Sequence, residues 1–248
     1  MDIDRRANEQ FNRFAADCGV DASDLSGKKI LELGFGNGLF LKQCQKAGMI
    51  VAGLEVRPPV YEKTSTLFPE MDLKLYDGLN IPFDDESFDY IVSFQVLEHV
   101  ESIERFISES LRVLKHDGRM CHKFPNYKSF YEGHYKIIWL PFLTKSSGRI
   151  YLKMLGRYTD YYESLNIIKP ADIRRICRNN SDKMELISDG KKEFAGKFTI
   201  AEASKIKNRF LRKAVTAICR VEPLRKIMLS ALSSLGMYYP LMISAHKK

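Results

Sequence analysis

Residues 30–38 read I-L-E-L-G-F-G-N-G. An apolar run carries one acid, Glu32, and three glycines follow at alternate positions, Gly34, Gly36 and Gly38. Glycine adopts turn conformations closed to other residues, and its missing side chain lets a ligand lie against the backbone. A strand, a glycine loop and a helix from Leu39 form the usual cradle for a nucleotide-like cofactor. The dinucleotide fingerprint G-x-G-x-x-G needs its third glycine where Leu39 stands, so this loop departs from it. Taken alone, the loop could also be an ordinary tight turn.

Two further acids sit where such a cofactor needs acceptors. Glu55, in G-L-E-V-R-P, lies about 20 residues past the loop, the distance at which an acid takes ribose hydroxyls. A carboxylate accepts two hydrogen bonds and so suits a cis diol. Asp77, in Y-D-G, can accept from an adenine amino group, with Leu79 and Ile81 as walls for the ring. A turn aspartate before glycine is its plainer alternative. Among the five histidines, His134 in Y-E-G-H-Y is the candidate general base, because imidazole titrates near neutral pH. His99, in L-E-H, is a weaker candidate, expected to pack or hydrogen-bond beneath the site. His116, His122 and His246 receive no role. No His/Asp/Glu cluster has metal spacing, so no metal is expected.

These residues need a scaffold to bring them together. Apolar runs at 29–33, 50–55, 73–76, 88–94 and 119–125 alternate with helical patterns at 39–47, 60–68 and 102–115. That alternation predicts an α/β chain. The 102–115 pattern is the clearest, with an apolar stripe of Ile103, Phe106, Ile107, Leu111 and Leu114 and a capping Ser102. A helix over 5–17 precedes the alternation. Residues 126–169 lose the rhythm, are rich in Tyr and Phe, and hold the single tryptophan, Trp139. They read as an insertion capping the carboxyl edge of the sheet. A helix from Pro170, a strand at 184–188 and a closing strand at 241–245 complete the chain.

Composition fits this layout. The 248 residues are 45% hydrophobic and 28% charged, as in a globular protein with an ample core. They read as one domain: an N-terminal helix over 1–25, a cofactor-binding core over 26–125, the cap over 126–169, and helices with closing strands over 170–248. Five scattered cysteines without C-x-x-C spacing read as reduced thiols of a cytoplasmic protein. The first residues, M-D-I-D-R-R, lack the apolar stretch of a secretory signal.

In order, the chain shows E-L-G-F-G-N-G, Glu55, Y-D-G-L-N-I-P-F, F-D-Y-I-V-S-F-Q-V-L-E-H-V and L-K-H-D-G-R. Together these five signals resemble the class I S-adenosylmethionine-dependent methyltransferases of small-molecule type, over about residues 25–190. The resemblance implies a Rossmann-like, doubly wound seven-stranded sheet with its last strand antiparallel. It implies S-adenosylmethionine as cofactor, with Glu32, Gly34, Gly36 and Gly38 around its methionine and ribose. Glu55 then binds ribose, Asp77 binds adenine and Gln95 lines the floor. Related enzymes often place a histidine in the region of His134. The expected activity is O-methylation of a small-molecule, glycan or lipid-linked acceptor; the aromatic cap with Trp139 suits ring stacking, although such residues are more often core. RNA methylation and a non-catalytic binding module of the same fold are the rival readings. The chain lacks [D/N]-P-P-[Y/F] after the fourth strand and a Pro-Cys pair, so DNA is not expected as a partner.

The net charge of +8 is concentrated late. From Lys191 onward there are 13 Lys and Arg against 3 Asp and Glu. Ile206, Phe210, Ala214, Ala217 and Val221 share one helical face, flanked by Lys205, Lys207, Arg209, Arg212 and Lys213. This basic amphipathic segment reads as a covering helix before the final strand. Weak attachment to anionic membrane, at the inner face, is the alternative, and a true span is a third.

Overall fold

A computed structural model describes residues 2–204, 206 and 209–248. Lys205 and Lys207, two of the flanking cations above, lie outside the described residues. The chain runs α1 (Asp2–Cys18), β1 (Lys29–Leu33), α2 (Leu39–Lys46), β2 (Ile50–Glu55), α3 (Pro58–Leu67), β3 (Asp72–Leu75), β4 (Phe88–Phe94), α4 (Ile103–Val113) and β5 (Leu114–Phe124). Two short strands follow, β6 (Tyr131–Glu132) and β7 (Ile137–Ile138), then α5 (Lys145–Met154), α6 (Asp160–Ser164), α7 (Pro170–Asn179) and β8 (Met184–Ser188). The last elements are α8 (Lys191–Lys197), α9 (Ile200–Ser204), α10 (Arg209–Arg220), α11 (Glu222–Ser234) and β9 (Leu241–Lys247). They form two compact units. The first comprises Met1–Phe124, Ile173–Ser188 and Met242–Lys248, and the second Pro125–Asp172 and Asp189–Leu241.

The first unit carries a seven-stranded sheet in the order β3-β2-β1-β4-β5-β9-β8. β1 pairs in parallel with β2 and β4, β2 with β3, and β4 with β5. β8 and β9 pair antiparallel. This is the Rossmann-like architecture that the motifs imply. β1 is buried at every residue after Lys29, as a strand covered on both faces must be. Strand order reverses between β1 and β4, which opens a crevice at their carboxyl ends.

Helices seal the sheet through their apolar faces. In α4, Phe106, Ile107, Leu111 and Val113 are buried, and the Ser102 hydroxyl accepts from Arg105 N at 3.2 Å to cap the first turn. The helix stops at Val113, earlier than expected, because Leu114 is already extended and pairs with Phe88. H-D-G at 116–118 therefore lies within β5, where the register shifts and Asp117 takes φ 61°. On α1, Phe14 is fully buried and meets Tyr90 edge-on at 5.5 Å. Arg119 ties the end of α1 down by donating to the carbonyls of Cys18 and Gly19.

The second unit has its own core of Tyr127, Trp139, Leu143, Leu152, Tyr162 and Leu165. Trp139 is 1% exposed and donates its indole N–H to Tyr127 O at 3.2 Å. It is therefore a packing residue, which corrects its reading as a stacking platform for a ring. Asn126 anchors the unit by donating to the carbonyls of Gly236, at 2.8 Å, and Tyr238, at 2.5 Å. The basic segment is broken into α9, α10 and α11 rather than forming one long helix. On its apolar face Phe210, Ala214, Ala217 and Val221 are exposed and Ile206 is half-buried.

Candidate cofactor site

The loop after β1 crosses the crevice between β1 and β4. Its three glycines all have positive φ, at +75°, +53° and +69°, but each serves a different need. A side chain on Gly34 would strike Val96 Cγ2 at 2.6 Å, and one on Gly38 would strike Thr64 Cγ2 at 2.9 Å. Those two are small so that the protein can pack. A side chain on Gly36 would meet nothing within 4 Å. There the bare backbone faces open space, as a ligand cradle requires.

Acids surround this loop. Glu55, at the end of β2, is 2% exposed and accepts from Gly36 N at 3.3 Å and Val56 N at 3.0 Å. Arg57 adds its own N–H at 3.2 Å and grips both carboxylate oxygens, Nε to Oε1 at 3.0 Å and Nη2 to Oε2 at 3.1 Å. Burial opposes ionisation of Glu55, but the Arg57 guanidinium and the backbone N–H groups hold its carboxyl below the usual range. Glu32, on β1, is 4% exposed, and its Oε2 has no hydrogen-bond partner among the described residues. Burial pushes its carboxyl well up, and the charge of Glu55 adds to the effect. Tyr76 is pushed up to about 12 by burial, with Glu55 and Asp77 contributing.

Asp77 is exposed and ties its own turn. Oδ1 accepts from Leu79 N at 2.8 Å and Asn80 N at 2.7 Å, and Oδ2 from the Asn80 amide at 2.7 Å. These bonds hold its carboxyl down at about 2. One lone pair on Oδ2 remains for a further donor. Gln95 follows β4 with φ 58°, its N–H bonded to Lys123 O at 2.7 Å. A left-handed non-glycine costs about 1–2 kcal/mol, so this turn is held against strain at the carboxyl end of β4. His99 is exposed, with its backbone N–H on Val96 O at 2.8 Å.

The first unit thus brings Glu32 of β1 and Glu55 of β2 around the loop that holds Gly36, with Gln95 following β4. Sequence reasoning missed Arg57, whose signal was its place two residues after Glu55. An unpartnered buried acceptor, an open glycine and a buried carboxylate at the ribose position fit S-adenosylmethionine.

His134 belongs to the second unit. Its Nδ1 lies 2.7 Å from Glu132 Oε1, and its side chain is 14% exposed against 1% for Glu132. The other Glu132 oxygen accepts from Tyr135 N at 2.6 Å, and Tyr161 stands edge-on to the imidazole at 5.3 Å. Glu132 also escaped the sequence reading, although the spacing E-G-H held the signal.

Known proteins resemble this chain in the same region. Residues 31–122 match the family model described as a methyltransferase domain. The chain is 28% identical over 149 residues to demethylmenaquinone methyltransferase of Tropheryma whipplei (strain Twist), covering 56% of this chain and 62% of that protein. It is 26% identical over 176 residues to ubiquinone biosynthesis O-methyltransferase of Pasteurella multocida (strain Pm70), covering 63% and 66%. The chain spans about half to two thirds of the length of the curated relatives it matches. Among solved structures, geranyl diphosphate C-methyltransferase from Streptomyces coelicolor A3(2) shares the fold, with TM-score 0.59 and 15% identity over 97% of this chain and 76% of that one. A parallel sheet that reverses its order at β1 and β4, with an acid-lined glycine loop at the reversal, is the structural form of that sequence match: residues 31–122 carry a methyltransferase domain.

Proposed function

We propose that the chain catalyses methyl transfer from S-adenosylmethionine to a hydroxyl oxygen of a small-molecule, glycan or lipid-linked acceptor, with His134 taking the hydroxyl proton. The observation that carries the choice of oxygen is the Glu132–His134 pair. A hydroxyl must lose its proton as its oxygen bonds to carbon, and a positioned base accelerates that loss. In this reading Nδ1–H donates to the Glu132 carboxylate, and Nε2 accepts the proton. The buried carboxylate then stabilises the imidazolium. One relative is named an O-methyltransferase, which supports oxygen as the acceptor atom.

When bound, the cofactor supplies a methyl group already activated on a sulfonium. The chain's part is to hold, align and exclude water. Glu55 takes the ribose hydroxyls once Arg57 releases its oxygens. Glu32 accepts from a donor on the methionine side, Asp77 takes the adenine amino group through its remaining lone pair, and Gln95 forms the floor. Gly34 and Gly38 shape the loop around them. His99 is a secondary candidate for the base.

The test begins with labelled donor and cell extract, followed by a mass-spectrometric search for a product heavier by one CH₂. With the acceptor in hand, His134→Ala is expected to lower turnover by roughly 10²–10⁴ and to leave affinity for S-adenosylhomocysteine unchanged. Full activity of that variant on the true acceptor overturns the base assignment.

A further inference from the structure

Two helices of the second unit present apolar stripes to solvent. On α10, Phe210 is 83% exposed, and Ala214 and Ala217 are exposed on the same face. On α11, where no residue is buried, Leu224 and Ile227 recur at helical spacing, with Leu235 just past its end, and Ile227 is 65% exposed. The same helices carry exposed cations. Arg209, Arg212, Lys213 and Arg220 are exposed on α10, and Lys226 on α11. A cleft of about 290 Å³ is lined by Arg212, Lys213 and Arg220, the hydroxyl residues Ser204 and Thr216, and Ile200. No acid lines it among the described residues. The second unit as a whole holds 18 Lys and Arg against 8 Asp and Glu.

We infer that α10 and α11 dock on the surface of an anionic phospholipid bilayer. Lipid phosphate sits among Arg212, Lys213 and Arg220, while Phe210, Leu224 and Ile227 enter the boundary between headgroups and acyl chains. Charge complementarity selects an anionic partner, and the apolar stripes select a bilayer over a nucleic acid. Aliphatic side chains gain area in acyl chains, whereas a polyanion rewards cations and stacked aromatic rings. The helices have 12 and 13 residues, short of the ~20 that span a bilayer, so the contact is interfacial.

The full chain is sedimented with vesicles of phosphatidylcholine alone and of phosphatidylcholine with phosphatidylglycerol, at low and high salt. It is expected in the pellet only with phosphatidylglycerol, and to be released by salt. Each cation removed should lower the partition coefficient about fivefold, so Arg212→Gln with Lys213→Gln should lower it about 25-fold. Ile227→Ser should lower it about tenfold or more. Thermal midpoint and S-adenosylhomocysteine affinity, both unchanged in these variants, show that the fold is intact. Recovery of the wild-type chain in the supernatant under all conditions overturns the proposal. So does single-stranded RNA binding that these variants lose while vesicle binding persists, or self-association through Ile227 without vesicle binding. Vesicle binding needs no methyl transfer, so this outcome stands apart from the proposed activity.

Discussion

The two acid-bearing sites of this chain are built on different plans. In the first unit, Glu32 and Glu55 lie almost buried at the ends of parallel strands, and 21 Lys and Arg nearly balance 23 Asp and Glu. In the second, Glu132 supports an imidazole, the charge is strongly positive, and most of the exposed large apolar side chains of the described residues are found there. A buried carboxylate on a rigid strand has few rearrangements open to it, so it can hold one ligand in one geometry. Loops, short strands and amphipathic helices leave more surface to present to a varied acceptor. The contrast fits the proposed function, with cofactor binding in the first unit and acceptor handling in the second. Substitutions in the first should therefore act on cofactor affinity, and those in the second on turnover or location.

The sharpest break comes at Gly36. Gly36→Val places a branched side chain in the open space above the loop, and its φ of +53° is strained for any β-branched residue. Cofactor affinity is expected to fall by about 3 kcal/mol, roughly 150-fold, in calorimetry with S-adenosylhomocysteine. Gly27→Val is the control: its φ is +76° with nothing within 4 Å, so it pays a similar backbone penalty outside the glycine loop. Equal affinity losses in the two would show that strain, and not a filled cradle, is responsible.

How much of this division was legible in the sequence follows from the same contrast. β1, β2 and β4 run over the residues their apolar patterns marked, because a strand buried on both faces reads as one unbroken run. The acids and glycines of the loop were legible because backbone conformation and cofactor chemistry both restrict residue type there. Residues 126–169 were not, since β6 and β7 have two residues each and carry no period. Trp139 could be counted but not placed, because a lone aromatic reads alike in a core and on a surface. The apolar face of α10 was visible, but periodicity gives a stripe without saying what covers it. Arg57 and Glu132 were missed because they act through a neighbour rather than through a motif.

A smaller effect is expected at Glu55. Glu55→Gln keeps the shape but offers one acceptor where the ribose diol and Arg57 need two. Affinity for S-adenosylhomocysteine should fall by about 1–3 kcal/mol, the scale of lost charge-assisted hydrogen bonds. The Gly36 amide loses part of its anchor as well. Arg57 sharpens the reading, because its guanidinium holds the same two oxygens that the diol requires. Arg57→Ala should leave affinity unchanged or tighten it severalfold, since the guanidinium, itself 63% exposed, competes with the diol for those oxygens. A large loss of affinity in Arg57→Ala would instead make Arg57 a cofactor contact.

The smallest expected effect concerns Glu32 and depends on pH. Its carboxyl is raised by burial and by Glu55, so the unliganded folded chain holds this proton more tightly than the unfolded chain does. Native stability from this group is therefore fully present below the ordinary glutamate value of 4.5 and is lost as pH rises through the folded value. Glu32→Gln removes the titration while keeping the volume and a polar tip. The variant should melt higher than the wild type at pH 8, with the gap narrowing toward pH 4.5. Changes at single buried groups stay within about 0.5–3 kcal/mol, which in a chain of this size is about 2–4 °C per kcal/mol. A bound donor at Oε2 favours the ionised form, so wild-type affinity for S-adenosylhomocysteine should rise with pH, and that of the variant should stay flat. Thermal melts across pH, with and without the ligand, read both trends. Parallel curves for the two proteins without ligand would mean that Glu32 ionises freely, and the empty acceptor at the end of β1 would then not be the cofactor's.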